Sequence, residues 1–281
     1  MQDYTITGEQ LQAFRQRLVW EEKSPATIEK YLRDAADFTA WLDGRAASKA
    51  AAGAWKAALL EAKLAPATIN VKLAAVNRFL VFLGWPAFRV KPLRIQRRLF
   101  RDAGRELTKS DYQSLLDAAC RLGRERLGLL VETIGATGIR VSEVRYITVE
   151  AVRQGKAEVS LKGKIRVILL PGKLCRKLLK YAQKQKTASG AIFRTKSGKE
   201  LGRRQIWAEM KSLCKYAGVM PGKVFPHNLR HLFAMVFYRT SRDIVKLADL
   251  LGHSSIETTR IYLVTSGAEH QRTLDRLGLI S

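Results

Sequence analysis

The sequence predicts a mainly α-helical chain with one small β-hairpin, divided into a helical N-terminal domain and a larger α+β domain. Three observations predict this. Apolar residues recur at helical spacing through most of the chain. Only two adjacent runs, around residues 158–170, have the short, Gly-separated pattern of paired strands. Charge also steps along the chain: residues 1–90 hold 12 Lys and Arg against 9 Asp and Glu, a net of +3, and residues 91–281 hold 38 against 16, a net of +22. A length of 281 residues is enough for two domains with real cores.

The first domain is assigned to residues 1–90. Gly8 to Trp20 places Leu11, Phe14, Leu18 and Val19 at a 3.6-residue period. Ser24 and Pro25 read as the N-cap and first position of the next helix, where proline's missing N–H costs nothing. That helix carries Ile28, Tyr31, Leu32, Ala35, Phe38 and Leu42 on one face. The alanine-rich stretch from Ala46 to Ala65 predicts a third helix. Pro66-Ala67-Thr68 opens a fourth, with Ile69, Leu73, Val76, Phe79, Leu80 and Leu83 inward, and Gly84-Trp85-Pro86 stops it. The two Pro-x-Thr openings look alike, but this is a common way to start a helix and is preferred here to an internal repeat.

Residues 91–105 read as a basic linker, with six basic residues, Arg97, Arg98 and Arg101 among them, and one Asp. Solvated faces usually mix signs, so this run points to nucleic-acid contact. Residues 106–281 form the second domain. Thr108 to Asp111 cap a helix running to about Leu122, and Leu127 to Thr137 is an apolar helix ending in Gly138. Glu158–Leu161 and Arg166–Leu170 read as strands around Lys162-Gly163-Lys164. From Lys173 the chain is helical again, with a turn at Thr195 to Leu201. Gly202-Arg203-Arg204 then opens a helix suited to a DNA groove. Ser254 to Glu257 has capping-box spacing, which puts Tyr262 about two turns into the helix that follows. The tail from Thr265 to Ser281 carries Leu274, Leu277, Leu279 and Ile280 as a short amphipathic helix.

The net charge of +25 and pI near 10.3 call for a polyanionic partner, although ribosomal and membrane-surface proteins share that trait. Cys120, Cys175 and Cys214 form no C-x-x-C pair and no disulfide framework, as expected of buried, inert thiols in a reducing cytosol. The start is polar and acidic, unlike a signal peptide, and no apolar run approaches the ~18 residues of a membrane helix. The four histidines do not pair with carboxylates at metal-ligand spacing, and no phosphate-binding glycine loop is present. No metal or other cofactor is expected.

Four segments carry chemistry. They are Ala136-Thr137-Gly138-Ile139-Arg140-Val141-Ser142-Glu143, Leu161-Lys162-Gly163-Lys164, Pro226-His227-Asn228-Leu229-Arg230-His231, and Leu251-Gly252-His253 followed by Tyr262. A phenol attacking a phosphodiester needs such a set: a nucleophile, cations and donors for the charge on the phosphorane, and an acid for the leaving oxygen. Arginine binds two phosphate oxygens at once and stays charged, which lysine cannot imitate. His227 and Arg230, three apart after a helix-opening proline, share one face. Glu143 lies one turn from Arg140 and either fixes the guanidinium or accepts from a neighbouring His, with a plain intrahelical salt bridge as the alternative. His231 reads as a packing residue.

On these segments the chain resembles a Xer-like tyrosine recombinase, or phage-type integrase, over nearly its whole length. The resemblance implies a helical core-binding domain followed by a catalytic domain, the basic linker joining two halves that clamp duplex DNA. It implies Arg140, Lys162, His227, Arg230, His253 and Tyr262 as the catalytic set, with Glu143 in support, Tyr262 as nucleophile and Lys162 as the acid for the 5′ oxygen. The short Lys162-Gly163-Lys164-Ile165-Arg166 turn leaves Lys164 as a competitor for that role. The expected DNA contacts are Lys72, Arg97, Arg98, Arg101, Lys164, Arg166, Arg203 and Arg204. Two departures are visible: Leu263-Val264 follow Tyr262 where many relatives have Thr-His, and Ser241 precedes Arg242-Asp243-Ile244 where many have glycine. Neither touches the six core positions.

The activity implied is site-specific DNA cleavage and rejoining through a 3′-phosphotyrosyl link and a Holliday junction, in integration or excision of a mobile element or in DNA inversion. The partners implied are duplex DNA with inverted-repeat core sites, a homotetramer joined through the C-terminal tail, and an accessory directionality protein. The tail's alternative is to pack on its own domain. A cytoplasmic, nucleoid-associated protein of bacterial type is expected. Two rivals stand beside this reading. One is a tyrosine-type topoisomerase, disfavoured by the Xer-like helical domain and the length. The other is a non-catalytic DNA-binding or architectural factor, disfavoured by the complete set of six residues.

Overall fold

Caps and breakers in the sequence set most helix ends in the computed structural model, which describes residues 4–95, 103–161, 164–195, 197–262 and 275–276. The chain divides into two compact units, Met1–Arg97 and Arg98–Ser281. The described residues are mainly helical with one two-stranded sheet, the fold class that the sequence predicts.

In the first unit α1 (Gly8–Trp20) opens on a capping box, in which Thr7 and Gln10 each accept from the other's backbone N–H. In α2 (Pro25–Leu42) the Ser24 hydroxyl bonds the Thr27 hydroxyl, at 2.8 Å, instead of a backbone amide. The third helix, α3 (Lys49–Glu61), is shorter than the alanine-rich stretch suggests. Ser48 starts it by accepting from Ala51 N, and Lys63 ends the turn beyond it in the left-handed region, φ 53°. With α4 (Pro66–Phe82), these helices bury Phe14, Leu18, Phe38, Leu42, Leu73, Phe79 and Leu80 in one core. Phe14 and Phe79 meet at 5.0 Å between ring centroids.

Beyond α4 the chain returns along it. The Asn77 amide exchanges two hydrogen bonds with the Val90 backbone, and Asn70 does the same with Leu93. An asparagine amide offers one donor and one acceptor side by side, so it imitates a strand neighbour. The basic stretch beginning at Lys91 is therefore pinned at its start rather than loose.

The second unit is built on α5 (Lys109–Arg121) and α6 (Glu125–Thr137), with Leu130, Val131 and Ile134 of α6 fully buried. Then come α7 (Val149–Gln154), β1 (Lys156–Leu161), β2 (Lys164–Leu169), α8 (Gly172–Lys184), α9 (Arg203–Lys211), α10 (Cys214–Ala217), α11 (Pro226–Ser241), α12 (Ile244–Leu251) and α13 (Ile256–Arg260). The strands are antiparallel, with Val159 opposite Arg166 and Ala157 opposite Ile168. Strand alternation therefore turns Arg166 and Ile168 inward and leaves Ile165, Val167 and Leu169 exposed. No described helix is long and apolar enough to cross a membrane.

One element differs from expectation close to the site. The N-cap of α13 is Ser255, and the helix closes at Arg260. Tyr262 thus lies two residues past a five-residue helix, not two turns inside one. A tight turn holds it there, with Tyr262 N donating to Thr259 O at 2.9 Å.

Candidate active site

Two helix ends create the site. α6 stops at Gly138, which adopts φ 63° under the ring of Phe233; a Cβ there would overlap that ring. α12 stops at Gly252, also left-handed at φ 61°. Helix ends leave carbonyls without helical partners, and these carry partial negative charge. Here guanidinium groups take them up. Arg230, on the first turns of α11, donates from Nη1 to Gly138 O and from Nη2 to Leu251 O at 2.8 Å. Arg166, on β2, donates from Nη1 to the same Leu251 carbonyl. Arg140 reaches Gly252 O at 3.4 Å.

Glu143 is the carboxylate at the centre, 1% exposed. Its Oε2 accepts from Arg140 N at 2.7 Å and from Arg166 Nη2 at 2.9 Å, and its Oε1 accepts from Arg140 Nη1 at 3.0 Å. The ion pair between Glu143 and Arg140 is present, and a second arginine, Arg166, rather than a histidine shares the carboxylate. Two arginines thus hold one carboxylate, and a third, Arg230, is near enough to feel its charge. Arg140 keeps 42% of its side chain exposed, which leaves it open to a substrate.

His253 follows Gly252, and its Nε2 lies 2.9 Å from Arg230 Nη2. A guanidinium only donates, so Nε2 is the acceptor. The ring proton then sits on Nδ1 and points to the buried Thr259 hydroxyl at 2.9 Å. Burial and the neighbouring Arg230, Arg140, Arg166 and His227 push the pKa of His253 down to about 4. The ring is therefore neutral near pH 7. His227 is also lowered, by partial burial first and by the Arg230 charge second. Burial lowers Arg230 as well, opposed by its hydrogen bond to Tyr262.

Tyr262 is 3% exposed and lies among these groups. Its ring stacks on His253 at 5.9 Å and 10° between planes, with His227 at 6.4 Å and His231 edge-on at 5.1 Å. His231, read from the sequence as a packing residue, packs against the tyrosine itself. The structure thus brings Arg140, Glu143, His227, Arg230, His253 and Tyr262 together from three of the four segments.

Other expected residues fare differently. Lys162, Arg97, Arg98 and Arg101 lie outside the described residues, as do the Lys164 side chain and the tail apart from Asp275 and Arg276. Arg203 and Arg204 are exposed at the start of α9. Lys72, expected among the DNA contacts, is held instead by Asp37 at 2.6 Å and Asp34 at 3.3 Å. Arg166, also expected among the DNA contacts, is turned inward with 13% of its side chain exposed. Its parity along β2 was the available signal, because Ile168 and Leu170 two and four residues on are both buried. Among the described residues no three His, Cys, Asp or Glu side chains gather as a metal site requires.

Comparison with known proteins gives a consistent result. Residues 105–268 match the model of the phage integrase family, and residues 11–86 match the N-terminal SAM-like domain of phage integrases. The chain is 30% identical to the tyrosine recombinase XerC of Roseiflexus castenholzii, covering 91% of this chain and 88% of the relative. It is 32% identical to the tyrosine recombinase XerD of Xanthomonas campestris, covering 94% and 90%. Among solved structures, XerH recombinase bound to its difH substrate superposes with a TM-score of 0.68 at 17% identity, over 95% of this chain and 84% of that one. A lambda integrase dimer bound to a core site gives 0.70 at 16%, over 91% and 94%.

Proposed function

The chain belongs to the phage integrase family of tyrosine recombinases, and from that premise we propose that Tyr262 attacks a DNA phosphate to give a 3′-phosphotyrosyl link and a free 5′ hydroxyl. The observation that carries this proposal is the gathering of Tyr262, Arg230, His253, His227 and Arg140 in one cluster where arginines outnumber carboxylates. Such a cluster suits an anion. Arg230 spends three of its five N–H groups on Gly138 O, Leu251 O and His253, which leaves two for Tyr262 and a phosphate oxygen. Arg140 supplies a second, exposed guanidinium. Fixed donors of this kind stabilise charge that develops on the phosphorane, each worth about 3–4 kcal/mol.

In the proposed reaction the phenol oxygen forms the new P–O bond and the 5′ oxygen leaves. Lys162 protonates that oxygen, with Lys164 as its competitor. A 5′ hydroxyl from a second duplex then attacks the phosphotyrosine, which releases Tyr262 and joins the strands. The bond energy stays in the phosphotyrosine, so no nucleotide is consumed. Exchange of both strand pairs through a Holliday junction, by four copies on two inverted-repeat sites, completes recombination for mobile-element integration, excision or inversion. Residues 1–90 and the basic stretch 91–105 hold the duplex, with Arg203 and Arg204 adding contacts. The tail couples neighbouring copies, and an accessory protein sets direction.

The test uses nicked duplex fragments of the DNA flanking the gene. Wild type is expected to give an SDS-resistant protein–DNA adduct, and Tyr262→Phe to bind the same fragments without one. Binding by the wild type with no adduct on any fragment would favour a non-catalytic DNA-binding factor.

A further inference from the structure

We propose that Arg166 is a positioning residue that locks strand β2 to both phosphate-binding arginines and to the turn carrying His253. The inference rests on the function proposed above for that site. The geometry is specific to Arg166. Its Nη2 donates to Glu143 Oε2 at 2.9 Å, and Glu143 is also the group that orients Arg140 through backbone and side chain. Its Nη1 donates to the Leu251 carbonyl that Arg230 also uses. One planar group therefore spans the supports of Arg140 and Arg230, and only a guanidinium has donors at the required angle.

A second observation is independent of the hydrogen bonds. A Cβ on Gly252 would fall 2.5 Å from Arg166 Cδ and 2.7 Å from its Nη1. The turn between α12 and His253 therefore closes directly on the Arg166 side chain. Gly252 serves two needs, a left-handed backbone at φ 61° and room for this arginine. The buried face of β2, with Ile168 in the core, fixes the strand from which Arg166 projects. The hairpin's position is thus transmitted to the arginine pocket through a rigid contact. Arg166 has both terminal nitrogens committed, so its effect on substrate passes through Glu143, Leu251 and Gly252.

The test uses the full-length protein and the nicked duplex on which wild type is trapped. It measures the single-turnover adduct rate at saturating protein beside the Kd for the same duplex and the thermal midpoint. Arg166→Lys keeps the charge but cannot span Glu143 and Leu251. It is expected to keep Kd within about threefold and to lose about 100-fold in rate, the cost of shifting catalytic groups by about 1 Å. Gly252→Ala is expected to slow the wild type in the same way and to slow an Arg166→Ala protein by clearly less, because the colliding atoms are gone and only the strain of a left-handed alanine remains. An Arg166→Lys rate within about twofold of wild type at equal Kd overturns the proposal. So does a Kd that weakens in step with the rate, as a direct DNA contact would. If the wild type gives no adduct, the proposed function has failed, and Arg166 is judged on the His253 imidazole ¹⁵N signals. Positioning predicts that Arg166→Lys disturbs the Nδ1–H tautomer; an unchanged tautomer overturns it.

Discussion

Asp34 in the first unit and Glu143 in the second are both carboxylates at 1% exposure, yet they organise their surroundings in opposite ways. Asp34 draws Lys72 at 3.3 Å, Arg33 at 3.7 Å and Lys30 at 4.0 Å, and a second carboxylate, Asp37, shares Lys72. Arg33 and Lys30 are largely exposed, so water screens their charge. Burial works to lower the pKa of Lys72, but the Asp37 hydrogen bond and the Asp34 charge outweigh it and raise the pKa. With those two screened, the one largely buried cation, Lys72, faces two carboxylates, and the cluster needs no further anion. Around Glu143 three arginines face one carboxylate, and helix-end carbonyls supply the remaining acceptors. Carbonyl dipoles hold guanidinium groups in place without cancelling their charge. The comparison separates a cluster that holds a fold together from one that holds it together and still attracts phosphate.

The largest expected effect separates the two carboxylates. Glu143→Ala should cut adduct formation by about 1,000-fold, and it should cost about 3–5 kcal/mol by leaving buried cations unpaired. Asp34→Ala should cost about 2 kcal/mol in chemical denaturation and leave the adduct rate within about threefold. Equal losses of rate in the two variants would break the comparison.

Next come two left-handed glycines. Gly138→Ala drives a methyl group into the Phe233 ring and should cost about 3 kcal/mol. Gly44, at φ 75° in the first unit, has open space around it, so Gly44→Ala should cost about 1 kcal/mol. Urea midpoints would show the order.

Acid should then distinguish the units, because all four histidines lie at or beyond residue 227. His253 has a folded pKa near 4 against an unfolded value near 6.5, so the unfolded chain binds the extra proton. Its contribution is fully present above about pH 6.5 and is lost as pH falls toward 4. His227 is shifted in the same direction. Denaturation at stepped pH should show the second unit weakening over that window and His253→Gln flattening the slope. A slope unchanged in His253→Gln would contradict the neutral, Arg230-facing ring.

The smallest effect concerns DNA affinity. Lys72 is already satisfied by two carboxylates, so Lys72→Ala should leave the salt dependence of DNA binding unchanged, whereas Arg203→Ala should lower the slope by about 1. A fall in slope with Lys72→Ala would restore that residue to the DNA face.

Much of this was legible in the sequence where local chemistry decides the outcome. Thr7 with Gln10, Thr108 with Asp111, and Pro25, Pro66 and Pro226 at first helical positions fix helix starts over a few residues. Gly138 and Gly252 likewise mark helix ends whose carbonyls the site uses. Less legible were features that depend on distant partners. Lys72 reads as an exposed cation until α2 brings Asp34 and Asp37 to it. Arg166 reads as a DNA-contacting cation at the start of a strand until its parity with Ile168 is noticed and Glu143 and Leu251 arrive from other elements. The turn that carries Tyr262 past the end of α13 has no strong sequence marker, since Arg260-Ile261-Tyr262 could continue a helix.

The most direct test of the central claim is to digest the trapped protein–DNA adduct with protease and nuclease and to locate the nucleotide-bearing peptide by mass spectrometry. The account predicts a 3′-phosphonucleotide on the phenol oxygen of Tyr262. A nucleotide on any other residue would contradict it.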